Sequence, residues 1–510
     1  MTTVEEDTGA PAARPFRGSV AATAAALLLL AAFALVQLTR PRPAALTDDM
    51  HGWRQADTQT IARNFAFVEP HLLRPRVDWG GSGPGYVETE LQLYPALVAV
   101  GLRLFGDSVW PGRLTSLALM LTVGWISFRA LSRRFGAPPA LAALLLVPLS
   151  RGWFFMATAI QPEPLTLLAY TVGFFTFLRF VEDERRRDLV LACAATTVCG
   201  LVKPPALQLL VVQLLLVLLL KRRLLRRADV WLGWAGALAM VVAFFLSLPS
   251  LDPAHGNSFG ILGGGGDLFP HVRDVLKPAT LWGLVRMTAQ WGTGVPAVAA
   301  ALFLLWKRQL RGEEVALAGG ALAMGLATAH ITSHMSASYF HVLSSLLGAW
   351  LIAHAARVLA DAGGRRAAVV LASVAGVALA LQASYTWRTY LPPVPETALA
   401  QALRPLLKAN ELIVVRSPVT ARDPVFGTAT NFRDPRVFYV AGAHGWVVPH
   451  DGSPALLESY AAQGARYYVE SATPFDADDP ALAAWLAASA RLLVRQPEGR
   501  IYALGSSPGN

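Results

Sequence analysis

The stretch from His51 to Phe65 crowds donors, acceptors and cations around one carboxylate, Asp57. Its other polar side chains include Trp53, Arg54, Gln55, Arg63 and Asn64. The stretch follows a long apolar run, and polar groups beside a membrane cost desolvation free energy unless a polar or ionic ligand compensates them. Asp57 is therefore the leading candidate for acid–base chemistry. The alternative is an ordinary solvated loop with a short amphipathic helix.

Two further charged residues lie beside prolines. Glu163 stands in Gln161-Pro-Glu-Pro164, and Lys203 stands in Leu201-Val-Lys-Pro-Pro205. A carboxylate can deprotonate or orient an attacking hydroxyl, and lysine and arginine can hold a phosphate. Each residue also has a simpler interpretation. Glu163 suits the first turn of a helix because of the helix dipole, and Lys203 could extend along apolar surface to reach water.

Six side chains are candidates for substrate contacts: Trp53, Gln55, Glu88, Glu90, His334 and Tyr339. The two glutamates end the loop that begins with the first stretch. His334 follows His330 by one helical turn, a spacing that can bind a divalent metal, although such a pair without an adjacent glutamate is more often structural. Tyr339 fits an aromatic belt at the membrane interface equally well.

The elements that must position these residues are membrane-spanning helices. Of 510 residues, 54% are hydrophobic and only 15% are charged, which excludes an ordinary soluble globular protein. Val20–Leu38 and Trp231–Leu248 carry no charge and are about long enough to cross the hydrocarbon core. The sequence therefore predicts a polytopic α-helical membrane protein.

The net charge of +10 reflects the membrane topology of the chain, and it gives no reason to expect a nucleic-acid partner. The arginines cluster at the ends of predicted spans, as the positive-inside rule requires of cytoplasmic ends. Their alternation predicts about eleven spans and places the polar candidates at the external face. The predicted spans are residues 18–38, 112–130, 138–156, 164–180, 188–202, 204–220, 229–249, 288–306, 314–331, 339–357 and 367–386.

The predicted organisation has three parts. Residues 1–17 form a disordered cytoplasmic N-terminus, residues 18–386 form the transmembrane domain with a first external loop at 39–111, and residues 387–510 form an external soluble α/β domain. Within the first loop, the short apolar stretch Ala96–Phe105 is predicted to lie at the interface as an amphipathic helix. In the last part, we predict helices at Pro395–Leu407, Leu456–Gln463 and Ala481–Ala490, and strands at Glu411–Arg416, Val437–Val440, Tyr467–Glu470, Leu492–Arg495 and Arg500–Leu504.

Over residues 18–220 the sequence resembles membrane glycosyltransferases of the GT-C superfamily, such as protein O-mannosyltransferases and lipid A aminoarabinose transferases. Asp57 follows the first span closely, and Glu163 occupies the second external turn. Leu93-Tyr-Pro95, Arg103-Leu-Phe-Gly106 and Arg113-Leu-Thr-Ser116 resemble the family's "P…L…LFG…ARLPSAL" passage, and Arg133-Arg-Phe-Gly136 closes the second span. The sequence departs from the family in having a lone Asp57 in place of the common Asp-Glu pair, and in carrying its Lys-Pro-Pro motif at residues 203–205.

The resemblance implies a GT-C-like fold with a small C-terminal α/β domain in the plasma (inner) membrane. It implies inverting transfer of one sugar from a polyprenyl-phosphate donor to a cell-envelope lipid, glycan or protein on the external, periplasmic side. Asp57 acts as the base, assisted by Glu163, and Lys203 binds the donor phosphate with Arg54 and Arg63 as helpers. No certain cofactor is implied, and a divalent metal is left open.

Two alternatives come from other classes of protein. A transporter or lipid flippase is expected to show paired helix breaks and ionisable residues at mid-bilayer depth. A non-catalytic lipid-binding or envelope-assembly protein is expected to carry Asp57, Glu163 and Lys203 on separate faces.

Overall fold

The computed structural model describes residues 20–87, 89–251, 276–328, 338–363, 393–421, 432–471 and 480–505, and parts of 369–381. The helices are α1 Val20–Thr39, α2 Gly52–Phe67, α3 Leu93–Phe105, α4 Trp110–Phe135, α5 Ala137–Leu146, α6 Arg151–Met156, α7 Glu163–Asp183, α8 Arg186–Val202, α9 Gln208–Leu220, α10 Ala228–Leu251, α11 Pro278–Met287, α12 Val295–Trp306, α13 Gly312–Ala327, α14 Ser345–Ala362, α15 Pro395–Leu403, α16 Arg436–Ala441, α17 Pro454–Ala462 and α18 Pro480–Ser489. The strands are β1 Leu412–Arg416, β2 His444–Val448, β3 Ala465–Ser471, β4 Ala490–Gln496 and β5 Gly499–Leu504.

Within the described residues, five helical segments are long and apolar enough to cross a membrane. Four are α1, α4, α7 and α10, and the fifth runs from Ser338 through a 3-10 turn into α14. A sixth span is present if α11 and α12 count as one, although they are bent by 109° at a short break. The predicted number of eleven is not confirmed, because several predicted spans, such as α8 with 17 residues and α9 with 13, are short helices packed against longer ones.

The predicted single span over residues 138–156 is wrong. The chain forms α5, a 3-10 turn over Val147–Leu149 and then α6. Pro148 cannot donate a backbone hydrogen bond, and the Ser150 side chain caps α6 by accepting from the Trp153 N–H at 3.4 Å. Similarly, the predicted span at 288–306 is sharply bent before α12, where Gly294 has a φ of +79°. The predicted span at 367–386 lies mostly outside the described residues.

The basic clusters of the later spans meet at one end of the helices. Glu184, after α7, pairs with Lys221 at 2.9 Å and with Arg227 at 3.1 Å. Arg134, at the end of α4, pairs with Glu182 at 2.9 Å and also contacts Glu313 in the first turn of α13. Helices α4, α7 and α9 therefore end on this side of the molecule and α13 begins there, as the arginine pattern predicts.

Helix α2 is buried at the opposite end, so the solvated-loop alternative for this stretch is wrong. Twelve of its 16 residues are buried, including most of its polar ones. The helix begins at Gly52, where a Cβ atom would stand 2.0 Å from the carbonyl oxygen of Thr47, so only glycine fits. Helix α3 packs against α2, and its Tyr94 hydroxyl hydrogen-bonds Ser116 of α4 at 2.6 Å.

The other side of α3 is apolar and exposed through Leu97, Val100, Leu104 and Phe105. An amphipathic helix of this kind, attached to the end of a span, suits the membrane interface. The structure shows that α3 has one buried side and one exposed apolar side. Its position at the membrane interface stays a prediction.

The C-terminal sheet has the strand order β2-β1-β3-β5-β4. Strand β1 is parallel to β2 and β3, and β4 and β5 form an antiparallel hairpin. The strand predicted at Val437–Val440 is wrong, because these residues belong to helix α16, which Pro435 precedes and Gly442 ends in a left-handed conformation. Strand β2 was not predicted. The remaining predicted helices and strands of this part are confirmed.

This C-terminal part docks on the first loop. Asp48 accepts hydrogen bonds from the Val394 N–H at 3.0 Å and the Thr397 hydroxyl at 2.7 Å. The Gly81 N–H donates to the Gly445 carbonyl at 2.7 Å, and the Gly445 N–H donates to the Asp78 carbonyl at 3.0 Å. One hydrophobic cluster includes buried residues of both parts, so they share a face of the molecule.

Candidate active site

Asp57 lies on the buried face of α2 and is only 1% exposed. One oxygen, Oδ1, accepts a hydrogen bond of 2.9 Å from the indole Nε1–H of Trp79. The other, Oδ2, is buried and has no hydrogen-bond partner among the described residues. A buried carboxylate with one oxygen available is the arrangement that a general base requires.

Burial is the largest influence on Asp57 and raises its pKa to about 7. The Trp79 hydrogen bond and the positive charge of Arg54 oppose this rise, whereas Asp434 and Asp78 add to it. A carboxylate with a pKa near neutrality is ionised often enough to accept a proton and basic enough to remove one.

Arg54, one turn before Asp57, pairs with Glu90. Burial opposes the charge on both groups, but their mutual attraction outweighs it and raises the pKa of Arg54. The attraction of Arg54 and of Lys203 likewise lowers the pKa of Glu90 to about 2. The loop that carries Glu90 is fixed beside α8 by a backbone hydrogen bond of 2.8 Å from Leu91 to Leu201.

Lys203 pairs with Glu163, with 2.9 Å between Nζ and Oε1. The two side chains are 8% and 3% exposed, so Lys203 does not extend to water and that interpretation is wrong. Glu163 is the first residue of α7, where the helix dipole also favours it, so its capping position and its ion pair coexist. The ammonium lies 4.9 Å from the ring centre of Tyr339 and 4.7 Å from that of Phe340.

These two ion pairs form one group, which we name the charged network: Arg54, Glu90, Glu163 and Lys203. Arg54 is close enough to Asp57, Glu163 and Tyr339 for each to affect its charge, and Lys203 is close enough to affect Glu90. The structure thus brings together Asp57, Glu163 and Lys203, although they come from α2, α7 and the end of α8.

Gln55 has a structural position beside the charged network. Its side-chain amide donates to the Met50 carbonyl at 2.9 Å and accepts from the Ile160 N–H at 2.9 Å. It therefore fixes the turn before α7 against the start of α2. Trp53, by contrast, is half-buried on the same helix. Their roles as substrate contacts stay predictions.

Arg63 lies farther along α2, where it pairs with Asp107 at 2.8 Å and covers the Tyr439 ring at 5.6 Å. Six residues separate it from Asp57, which is about 9 Å along a helix axis. Glu88, His330 and His334 lie outside the described residues. Among the residues that the structure does describe, no group of three His, Cys, Asp or Glu side chains is arranged to hold a metal ion.

Three side chains of the site were not found from the sequence: Trp79, Phe340 and His51. Trp79 follows Asp78 in the Gly-rich part of the first loop, and Phe340 is adjacent to the predicted Tyr339. The His51 ring hydrogen-bonds Ser338 at 3.0 Å and meets the Tyr339 ring edge-on at 5.1 Å. The one sequence signal that could have identified Phe340 is its position next to the predicted Tyr339.

The fold is GT-C-like, as the sequence resemblance predicts. A family model described as dolichyl-phosphate-mannose-protein mannosyltransferase matches residues 92–246. The chain is similar to ArnT from Cupriavidus metallidurans bound to undecaprenyl phosphate, with 17% identity and a TM-score of 0.62 over 94% of this chain and 98% of that chain. The apo form of the same protein gives a TM-score of 0.58 at 17% identity, covering 95% of this chain and 98% of that chain.

A more distant likeness is to arabinofuranosyltransferase AftD from Mycobacteria, at 15% identity and a TM-score of 0.54. It covers 96% of this chain but 42% of that chain. No curated protein sequence matches the chain. At such low identities these likenesses establish the fold alone, and they leave the sugar and the acceptor to be argued from the site.

Proposed function

We propose that the chain is a glycosyltransferase that moves a single sugar from a polyprenyl-phosphate donor to a cell-envelope lipid, glycan or protein, with inversion. The observation that carries the proposal is a buried carboxylate of raised pKa, Asp57, close to the buried cation Arg54, which belongs with Lys203 to the charged network. A base next to cations is what the reaction requires, because an acceptor hydroxyl loses a proton while the departing phosphate gains charge.

In the proposed reaction, Asp57 accepts the proton of the acceptor hydroxyl as its oxygen attacks the anomeric carbon. The bond between that carbon and the phosphate oxygen breaks, and the polyprenyl phosphate leaves with the bonding electrons. A single displacement inverts the anomeric configuration. The products are the glycosylated acceptor, the polyprenyl phosphate and a protonated Asp57, which returns its proton to water.

Glu90 and Glu163 hold the two cations in place. An ammonium has three N–H donors and a guanidinium five, so a cation paired with one carboxylate keeps donors for a phosphate. Stabilising the leaving group by one such contact is worth about 3 kcal/mol, or roughly 10²-fold in rate. Arg63 is a further candidate for the donor phosphate in this proposal.

The likeness to ArnT, whose structure contains undecaprenyl phosphate, supports a lipid-linked donor.

The test is mass spectrometry of envelope glycans and lipids from cells with and without the gene. Loss of one sugar mass from a defined envelope component, restored by the wild-type chain and not by an equally abundant Asp57→Asn chain, is the expected result. Restoration by Asp57→Asn would remove Asp57 from the chemistry. An unchanged envelope in cells without the gene would contradict the glycosyltransferase proposal itself.

We place the site and the C-terminal domain on the external face, in the plasma (inner) membrane. This rests on the arginine clusters, which meet at the other end of the helices. In a chain without Cys193 and Cys199, Ser459→Cys is expected to react with an impermeant reagent in cells whose outer membrane, if any, is permeabilised. Arg226→Cys is the matched position at the basic end and is expected to react only after lysis. The reverse pattern would contradict the placement.

A transporter is the less favoured alternative. One bent pair of helices is present among the described residues, at Gly294, but the charged network lies at the ends of helices and beside α2. A flippase site is expected at mid-bilayer depth instead.

A further inference from the structure

A second group of cations lies at the same end of the molecule, on the other side of the turn that precedes α7. Arg40 and Arg42 follow the end of α1, and both direct their guanidiniums at one hydroxyl. Arg42 Nη1 is 2.9 Å from Thr158 Oγ1, and Arg40 Nη2 is 3.2 Å from the same atom. Thr158 is only 1% exposed, so two cations converge at a largely buried point.

Arg113, in the first turn of α4, completes this group, which we name the arginine cluster: Arg40, Arg42 and Arg113. Burial is the main reason that the pKa of Arg42 falls to about 9, and repulsion from Arg40 and Arg113 lowers it further. Asp49 attracts Arg42 but only partly offsets these effects. The protein thus holds three like charges together at a cost in free energy.

Neither Arg42 nor Arg113 forms an ion pair with a carboxylate among the described residues, and the buried Nε atom of each has no hydrogen-bond partner there. Arg42 does donate to the Gln37 carbonyl, and Gln37 is itself fixed by a hydrogen bond of 2.9 Å to the Phe154 carbonyl. Arg42 is therefore held in position while part of its guanidinium stays available. Buried cations that lack a carboxylate are commonly matched by an anion from outside the chain.

The surroundings indicate where that anion comes from. Helix α1 buries only Ala26 and Gln37 and is long and apolar enough to cross a membrane, so we expect its end at the depth of the lipid headgroups. A basic pocket between spans at this depth is typical of a headgroup site. The planar fork of arginine also suits the paired oxygens of a phosphate.

We infer that the arginine cluster binds a phosphate group at the membrane boundary, at a site separate from the charged network. The phosphate belongs either to a lipid headgroup or to free inorganic phosphate, and the cluster offers the same chemistry to both. This inference is independent of the glycosyltransferase proposal, because it needs only the cations and their place at the end of α1.

The test uses the full chain purified in detergent, with its melting temperature measured against three probes: phosphatidylglycerol, a diacylglycerol succinate with the same acyl chains, and inorganic phosphate. The succinate lipid carries a carboxylate instead of a phosphate. We expect phosphatidylglycerol to raise the melting temperature of the wild-type chain at lower concentrations than the succinate lipid does. Equal effects of the two lipids, together with no protection by inorganic phosphate, would overturn the inference, even if no variant folds.

The variant Arg42→Gln is expected to need about tenfold more phosphatidylglycerol for the same rise, because it loses one charged hydrogen-bonding group. Its matched control is Arg129→Gln, which removes an arginine nearer the other end of α4 and is expected to respond like the wild type. If Arg42→Gln also responds like the wild type, the cluster is not the site. Protection by inorganic phosphate alone identifies a free anion, and protection by the lipid alone identifies a headgroup.

Discussion

The charged network and the arginine cluster lie on either side of one turn, and they differ in how their cations are neutralised. In the charged network, Arg54 and Lys203 each have a buried carboxylate partner. In the arginine cluster, Arg42 and Arg113 have no such partner among the described residues. The same turn contributes to both, through Glu163 and Thr158.

The difference indicates two modes of handling an anion. A cation paired with a carboxylate is stable without ligand and keeps some donors for a phosphate that arrives and leaves. Arg42 and Arg113, which form no ion pair among the described residues, are stabilised further when an anion is bound, so this cluster favours continuous occupancy. The charged network therefore suits turnover, and the arginine cluster suits a resident phosphate.

The largest expected effect is that of Asp57→Asn on sugar transfer. The substitution keeps the size and the hydrogen bond from Trp79 but removes the group that accepts a proton. We expect transfer to fall by about 10²- to 10⁴-fold. Asp107→Asn is the control, since Asp107 is a half-exposed carboxylate that pairs with Arg63, and it is expected to keep most activity. Transfer near the wild-type rate by Asp57→Asn would contradict the role of Asp57.

The same variant has a distinct signature in stability. Burial raises the pKa of Asp57 in the folded state from its ordinary value of 3.8 to about 7, so the native state resists ionisation of this group. Its contribution to stability is fully present below about pH 4 and is lost as the pH rises through 7. The melting temperature of Asp57→Asn minus that of the wild type is therefore expected to be larger at pH 8 than at pH 5. A difference in melting temperature between the variant and the wild type that is the same at pH 5 and pH 8 would contradict the burial argument.

A second prediction concerns the buried pair of Lys203 and Glu163. Lys203→Met leaves Glu163 buried without its cation, which costs on the order of 3–5 kcal/mol. The double variant Glu163→Gln with Lys203→Met is expected to recover most of that stability without recovering transfer. Thermal denaturation and a transfer assay measure the two effects separately.

The arginine cluster supplies the contrast to this pair. Arg42→Gln removes a cation that is repelled by its neighbours, so its cost in stability is expected to be smaller than that of Lys203→Met. If Arg42→Gln is equally destabilising in detergent without added phosphate, the two groups of cations do not differ as described.

A third prediction concerns Trp79, which donates to Asp57 from the first loop. Trp79→Phe removes a hydrogen bond that favours the ionised carboxylate, so the pKa of Asp57 rises further. The rising limb of the pH–rate profile is expected to move upward by about one pH unit. Trp485→Phe is the control, because its indole donates to Glu458 at 2.7 Å within the C-terminal part. An unchanged profile for Trp79→Phe would show that Asp57 is not the titrating group.

The sequence was informative where the residue type and its position in the chain both indicated the same role. Glu163 and Lys203 were named because prolines marked the turns at the ends of two apolar segments, and the structure pairs them. The fold class also followed from the apolar segments, because hydrophobic length is a local property. The direction of the helices also followed from the sequence, because the arginine clusters mark the helix ends that lie on one side of the membrane.

Other features depended on contacts that no local pattern encodes. The Arg54–Glu90 pair forms because the first loop returns to α8 through Leu91, and Trp79 reaches Asp57 across 22 residues. Val437–Val440 is apolar and rich in β-branched and aromatic residues, so strand and helix were not separable from the sequence there. The bend before α12 and the break at Pro148 show that proline and glycine inside an apolar segment needed more weight than its total length.

The smallest expected effect is that of Arg63→Gln. Arg63 and Asp107 are 35% and 43% exposed, and exposed ion pairs contribute roughly 0.2–1 kcal/mol. Since Arg63 lies about 9 Å along α2 from Asp57, we expect transfer to fall less than about threefold. Arg54→Gln is the comparison on the same helix and is expected to lose far more, because it also leaves Glu90 buried without its cation. If Arg63→Gln instead weakens donor binding as strongly as Lys203→Met does, then Arg63 contacts the donor phosphate, and the cations that serve turnover extend along α2 beyond the charged network.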